Sequence, residues 1–413
     1  MGLWTIKGGK PLYGSVQVQG SVNGTLAVLA ASLLNRGVTV LERVPQVTDV
    51  EEMLRLLEDL KCKVKREGER VTVDAAQAKP ALCRETHLRS SVLLLGAMAA
   101  RFGAGTVPMP HSDFQGPRPV DLHLDALTQL GCEIRMQENS LCCVLGEKRN
   151  GIVRLAYPSV GATENAMLAA CGRQGETVLH GCAKDPEISQ LADYLRMCGV
   201  CVIGDGTDTI CMTGDFASGV REIRIMPDRN AGAWLLCAVA ACGGKIQLQE
   251  VNPAHLQPIL DGLDEMGCNI KIRGHSVTLQ RQDRLWAGNT PIATGPWPAF
   301  PTDAFAGYLA VCMGADGVSR GEERVYGDRL GCVNLLRRFG GDITRTDGCG
   351  VLVTGQPQLR GANVIARDPW TAAAVVIAAL SAQGETTLVD YENLGRILAY
   401  PDCVLRQLGA EIE

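Results

Sequence analysis

One short pattern returns six times along the chain and constrains its fold more than anything else. It reads Leu60-Lys-Cys-Lys-Val64, Leu130-Gly-Cys-Glu-Ile134, Cys198-Gly-Val-Cys-Val202, Met266-Gly-Cys-Asn-Ile270, Phe339-Gly-Gly-Asp-Ile343 and Leu408-Gly-Ala-Glu-Ile412. The second positions, 61, 131, 199, 267, 340 and 409, lie 68 to 73 residues apart. Each copy follows an amphipathic run with apolar residues at helical spacing, such as Leu54, Leu57 and Leu60. In all but the first, a glycine stands where a helix end turns into the left-handed region; Lys61 is the exception. A strand-like run follows, in places folding back across a polar turn, as from Glu133 to Val144. In phase with this, a small-residue apolar run ends in glycine and enters a strand, as at Gln174-Gly-Glu-Thr-Val-Leu179 and Gly384-Glu-Thr-Thr-Leu388; the copy at Gly317-Val-Ser319 is weaker. These are six βαβαββ-like units. A solenoid is the alternative architecture, but the repeat is long for one. The reading preferred is α/β, two domains of three units each, with sheets outside and small-residue helices within, dividing between Arg224 and Pro227. Gly8, Gly9 and Gly14 place the first strand with the C-terminal half.

Composition fits this. With 413 residues, the chain exceeds what one core usually serves. Hydrophobic residues make up 46% but aromatics only 4%, and there are 47 glycines, which suits close helix packing. A net charge of −5 carries no basic footprint for nucleic acid, so an anion site must be built locally. The longest apolar run, Gly232 to Cys242, is far short of a membrane span. No secretory apolar stretch opens the sequence, and the 17 scattered cysteines read as reduced core residues of a cytoplasmic protein. Cys198 and Cys201 form a CxxC without a second pair, read as structural. The six histidines show no ligand spacing, so neither a metal nor an organic cofactor is expected.

One loop stands apart from the repeat: His111 to Pro117, followed by Arg118-Pro-Val-Asp-Leu-His123 and an amphipathic helix from Val120 to Leu130. It sets Asp113 five residues before Arg118 at the mouth of that helix. Such a place offers N–H groups to an anion and carries mobile side chains. An ordinary surface turn is the plainer reading of the same residues.

The motifs sharpen the picture. The chain resembles the enolpyruvyl transferase family, in the branch that acts on UDP-N-acetylglucosamine. The likeness runs along essentially the whole chain, through Gln19-Gly-Ser-Val-Asn-Gly24, Leu88-Arg-Ser-Ser91, Arg118-Pro-Val-Asp-Leu-His123, Pro158-Ser-Val-Gly-Ala-Thr-Glu-Asn165, Pro186-Glu-Ile188, Pro227-Asp-Arg229 and Phe300-Pro-Thr-Asp303. The Arg-Pro-Val-Asp-Leu-His and Ser-Val-Gly-Ala-Thr strings distinguish this branch from its shikimate-pathway relative. The resemblance implies an inside-out α/β barrel in two domains, residues 21–226 and residues 1–20 with 227–413, with the ligand cleft between them. It implies a lid formed by residues 111–117 and the substrates phosphoenolpyruvate and UDP-N-acetylglucosamine, in peptidoglycan precursor synthesis. The reaction needs a base at the sugar 3-hydroxyl, an acid at the enolpyruvyl C3, and cations for phosphate and carboxylate.

The resemblance also assigns roles. Asp303 meets the reacting hydroxyl, although Thr302 and Asp303 also read as a helix cap, and both can hold. Asp113 stands where most members carry a cysteine, as the C3 acid. Arg118, Arg329 and Arg396 face phosphoenolpyruvate, Arg396 also taking part in catalysis; guanidinium forks suit phosphate and carboxylate. Asn23 and Arg89 lie on the sugar side. Pro119, Val120, Asp121 and Leu122 form the uridine wall, and Ser159, Val160 and Gly161 the diphosphate turn.

Three positions depart from the family pattern. Val22 replaces a lysine, Trp370 replaces an arginine, and Gly395-Arg-Ile-Leu398 surrounds Arg396 with unfamiliar neighbours. A second reading follows from them: a degenerate paralogue that binds a UDP-sugar with little or no turnover.

Overall fold

The computed structural model describes residues 2–109, 120–137, 139–146, 151–356 and 358–413. Asp113, Arg118, Pro119 and the loop 111–117 lie outside the described residues. The chain forms two compact units, Gly20–Met226 and residues up to Gln19 with Pro227–Glu413.

Each unit is built around three helices buried on nearly every side. In the first they are Val22–Ser32, Leu93–Phe102 and Val160–Ala170; in the second, Arg229–Cys242, Thr302–Cys312 and Pro369–Ser381. Their sequences lack a polar face, which is what full burial demands. Small residues bring them close. At Gly96 an added Cβ would stand 2.3 Å from Asn165 Oδ1 and 2.6 Å from its backbone oxygen. Asn165 Oδ1 accepts the Gly96 N–H at 3.0 Å, and its Nδ2 donates to Val92 O at 3.0 Å. The amide therefore stitches the helices Leu93–Phe102 and Val160–Ala170 together. Amphipathic helices such as Thr48–Asp59, Pro186–Met197 and Pro253–Glu265 bury one face only.

The sheets form the outer layer of each unit. Five have four strands and one, carrying Ala104–Pro108, has three among the described residues. In every four-stranded sheet one edge strand runs parallel and the other neighbours run antiparallel; Val220–Arg224 beside Val38–Glu42 is one such edge. Leu3–Lys7 and Leu12–Gln17 pair with strands of the C-terminal half, so the chain start belongs to the second unit. Alternation does the sorting: in Gly244–Gln249, Ile246 and Leu248 face in while Lys245 and Gln247 face water. The architecture is thus the inside-out α/β arrangement expected from the repeat.

The helix-end glycines 131, 199, 267, 340 and 409 all have positive φ, between 80° and 98°. Lys61 has it too, at 67°. The turn is set by the repeat's geometry, and lysine tolerates it at about 1–2 kcal/mol. The weak sixth strand at Gly317 is complete, Val318–Glu322. Among the described residues no helix is long and apolar enough to cross a membrane.

Candidate active site

In the unit Pro227–Glu413, the structure brings Asp303 and Arg329 together. Arg329, from a 3-10 turn at Gly327–Gly331, donates NH1 to Asp303 Oδ1 at 2.5 Å. The same nitrogen meets Thr302 Oγ1 at 3.0 Å. Trp370 lies 4.0 Å from the guanidinium carbon and Tyr326 4.7 Å, each presenting its ring face. Arg329 is only 8% exposed, so the pair is partly withdrawn from water and salt screens it less. The other Asp303 oxygen, Oδ2, accepts the Asn230 Nδ2–H at 3.0 Å.

The capping reading of Asp303 needs correction. Pro301 is the cap residue of the helix Thr302–Cys312, and no side chain caps it. Asp303 is the second residue of that helix, and its carboxylate turns away to Arg329 and Asn230. The positive end of the helix dipole still favours its charge. Thr302 serves a buried carboxylate instead, donating to Glu323 Oε2 at 2.7 Å. Glu323 also accepts Thr294 Oγ1 at 2.8 Å and the Val325 and Tyr326 N–H groups at 2.9 Å each. A chain of contacts thus runs Glu323, Thr302, Arg329, Asp303, Asn230.

Arg396 closes a separate 3-10 turn, Tyr391–Arg396, half buried. Asp390 before the turn and Tyr400 beyond it have positive φ, 63° and 50°.

In the unit Gly20–Met226, His123 lies against Gly161 and near the Arg89 charge. The helix Asp121–Gln129 brings His123 against Gly161, where an added Cβ would stand 2.7 Å from His123 Cε1. Burial first, and then the nearby Arg89 charge, lowers the His123 pKa to about 3, so the ring is neutral. Its Nδ1 faces Asn165 Nδ2 at 3.4 Å. Since that amide nitrogen is a donor, Nδ1 accepts and the proton sits on Nε2. Val120 and Leu122 are half buried and Asp121 is exposed. Arg89 opens the 3-10 turn Arg89–Val92, half buried.

Ser159 caps the helix Val160–Ala170, its hydroxyl oxygen accepting the Ala162 N–H at 3.4 Å. The N–H groups of Val160 and Gly161 belong to the first turn, which has no partner within a helix, and both residues are partly exposed. Such a turn suits an anion. Asn23 is exposed on the first turn of the helix Val22–Ser32, behind the cap Ser21, while Val22 is buried.

Sequence reasoning missed Asn230, Thr302 as an arginine partner, Tyr326, Glu323 and His123. Asn230 follows directly on Pro227-Asp-Arg229, and His123 ends the string that begins at Arg118, so both adjoin motifs already singled out. Glu323, one of two consecutive acids, carries no such signal.

A family model, EPSP synthase (3-phosphoshikimate 1-carboxyvinyltransferase), matches residues 6–402. The chain belongs to the EPSP synthase family of enolpyruvyl transferases. It is 36% identical to UDP-N-acetylglucosamine 1-carboxyvinyltransferase 2 of Caldanaerobacter subterraneus subsp. tengcongensis, across 100% of this chain and 99% of the relative. To UDP-N-acetylglucosamine 1-carboxyvinyltransferase 3 of Symbiobacterium thermophilum it is 39% identical, covering 99% and 97%. Among solved structures, the enolpyruvyl transferase NikO from Streptomyces tendae superposes with a TM-score of 0.88 at 22% identity, covering 100% of this chain and 98% of that one. EPSP synthase from Acinetobacter baumannii gives 0.77 at 18% identity, covering 100% and 99%. These likenesses establish the fold.

Proposed function

We propose that this enolpyruvyl transferase moves the enolpyruvyl group of phosphoenolpyruvate to the 3-hydroxyl of UDP-N-acetylglucosamine, releasing phosphate, as a cytoplasmic step of peptidoglycan precursor synthesis. The observation that carries the reading is full-length identity of 36% and 39% to relatives named for this transfer. The Asp303–Arg329 pair supplies a chemistry for it.

Asp303 takes the proton of the 3-hydroxyl as its oxygen bonds to C2, while C3 gains a proton. Phosphate then leaves from C2 and the C3 proton is lost, restoring the double bond. Arg329 bonds the Asp303 carboxylate and lends positive charge to the phosphoenolpyruvate side, with Arg118 and Arg396. Asp113 is the C3 acid. The first-turn N–H groups of Val160 and Gly161 and the Ser159 hydroxyl receive the diphosphate. Asn23 and Arg89 serve the sugar, and Pro119 to Leu122 the uridine.

The test is phosphate release from phosphoenolpyruvate in the presence of UDP-N-acetylglucosamine, for wild type and Asp303→Ala, alongside calorimetric binding of each substrate. Release that vanishes in Asp303→Ala supports the reading. Sugar-nucleotide binding without release from the wild type, even at high phosphoenolpyruvate, sinks it.

A further inference from the structure

Gln19 is the last residue of the N-terminal segment that belongs with Pro227–Glu413, and both ends of its side-chain amide are engaged. Nε2 donates to Ile397 O at 2.9 Å, and Oε1 accepts the Ala399 N–H at 2.9 Å. A carbonyl on one side and an N–H on the other fix which end of the amide is which. Ile397 follows Arg396 directly, so this clamp grips the chain one residue beyond that arginine. The Gln19 backbone is itself tied down. Val18 N–H donates to Gln249 O at 3.1 Å, extending the pairing of Leu12–Gln17 with Gly244–Gln249. Gln19 O accepts the N–H of Asp228, the cap of the helix Arg229–Cys242, at 2.9 Å. Other contacts hold the near side of the turn Tyr391–Arg396. Trp4 stacks on Tyr391 with ring centroids 4.4 Å apart, and Asn393 Nδ2 donates to Ala366 O at 3.0 Å. On the far side, Tyr400 takes a positive φ of 50°, which persists where the surroundings fix the chain.

We propose that Gln19 is a positioning residue for Arg396: its amide locks the exit of the turn that carries the arginine and so sets where the guanidinium meets phosphoenolpyruvate. The inference rests on the reading of Arg396 as a phosphoenolpyruvate-side cation. An arginine meets its anion at the end of a long side chain, so a small rotation of its backbone displaces the guanidinium further and spoils a forked contact. A primary amide suits the task. It offers one donor and one acceptor in a plane, as a neighbouring strand would, and adds no charge beside the anion. Gln19 and Ile397 are 378 positions apart, so no local pattern marks the pairing. Gln19 takes no part in the bond changes; it acts through Arg396.

The experiment compares wild type, Gln19→Leu, Arg396→Ala and the double variant in phosphate release, with each substrate varied separately. Gln19→Leu removes both side-chain bonds. It should raise KM for phosphoenolpyruvate roughly ten-fold and KM for UDP-N-acetylglucosamine by less than about three-fold. In the Arg396→Ala background the same change should raise KM for phosphoenolpyruvate by less than about two-fold, because the residue it acts through is gone. A second readout needs no turnover. Amide hydrogen exchange of the full chain should quicken over residues 391–400 in Gln19→Leu and stay as in wild type over the helix Thr302–Cys312. Unchanged or equally raised KM values, an effect undiminished in Arg396→Ala, or unchanged exchange over residues 391–400 would each overturn the proposal. Wild type that releases no phosphate would instead sink the transfer reading. Calorimetric binding of phosphoenolpyruvate to the same four proteins, in the presence of UDP-N-acetylglucosamine, then decides the role of Gln19 by the same pattern of losses.

Discussion

The Arg329 guanidinium lies 4.0 Å over the face of Trp370 while its NH1 bonds Asp303 Oδ1 at 2.5 Å. A cation is thereby held between a π face and a carboxylate. Trp370 stands where the family resemblance has an arginine, and it holds Arg329 without adding a charge. A partly desolvated contact of this kind contributes roughly 0.5–2 kcal/mol.

Trp370→Ala should therefore loosen Arg329 and weaken the apparent affinity for phosphoenolpyruvate about three- to thirty-fold. The affinity for UDP-N-acetylglucosamine should change far less. Trp370→Phe should fall between wild type and alanine. Steady-state kinetics with each substrate varied separately reads all three. Equal loss for both substrates would point to a general disturbance of the unit.

Thr302 joins Glu323 to Arg329, donating to one and accepting from the other. Thr302→Val keeps the shape and removes both bonds. It leaves a Glu323 oxygen short of a donor in a carboxylate only 1% exposed. The expected cost to folding is about 1–3 kcal/mol, whereas Thr302→Ser should be nearly silent. Chemical denaturation checks this, and an unaffected Thr302→Val would show that the hydroxyl is dispensable.

Gly161 has no room for a side chain, since its Cβ would stand 2.7 Å from His123 Cε1. Gly161→Ala should push the first turn of the helix Val160–Ala170 away from His123. If that turn receives the diphosphate, UDP-N-acetylglucosamine should bind at least about ten-fold more weakly, the overpacking costing roughly 1–3 kcal/mol. Adding His123→Ala should restore part of the affinity by opening space. Calorimetry on the single and double variants measures both effects.

Glu164 is buried, and burial, followed by the charges of Glu187 and Asp185, pushes its carboxyl well above the ordinary value of 4.5. The folded protein keeps this proton at pH values where the unfolded chain has released it. The resulting stability is fully present below about 4.5 and is lost as pH rises toward the folded pKa. Glu164→Gln, permanently neutral, should raise the thermal midpoint more at pH 8 than at pH 4. His123 acts on the acid side: its pKa is lowered from 6.5 to about 3, so stability falls as pH drops through that window. Thermal unfolding at several pH values tests both, and a Glu164→Gln shift independent of pH would contradict the first.

Much of this is legible in the sequence alone. Six copies of a helix-end pattern at 68 to 73 residue spacing specify six equivalent units, because periodicity and turn chemistry act locally. Even the exception, Lys61, adopts the left-handed turn of its five glycine counterparts. The motif strings led to Asp303 and Arg329 as separate candidates, and to the turn at Ser159–Gly161.

What no local rule could supply was partnership. Asp303 looked like a cap because it opens an apolar helix; whether its carboxylate turns back to that helix or across to Arg329, 26 positions on, depends on the packing of neighbouring elements. Asn230, Thr302, Trp370 and Glu323 come from four different stretches, and nothing in their own neighbourhoods marks them as a set. By itself the sequence determined the repeat, the burial of the inner helices and the family, since periodic burial and local turns are written residue by residue. Only the tertiary structure decided which cation meets which carboxylate and which neutral donor holds the other oxygen. Those contacts join residues far apart in the chain, and their energy exists only once the helices that carry them have packed.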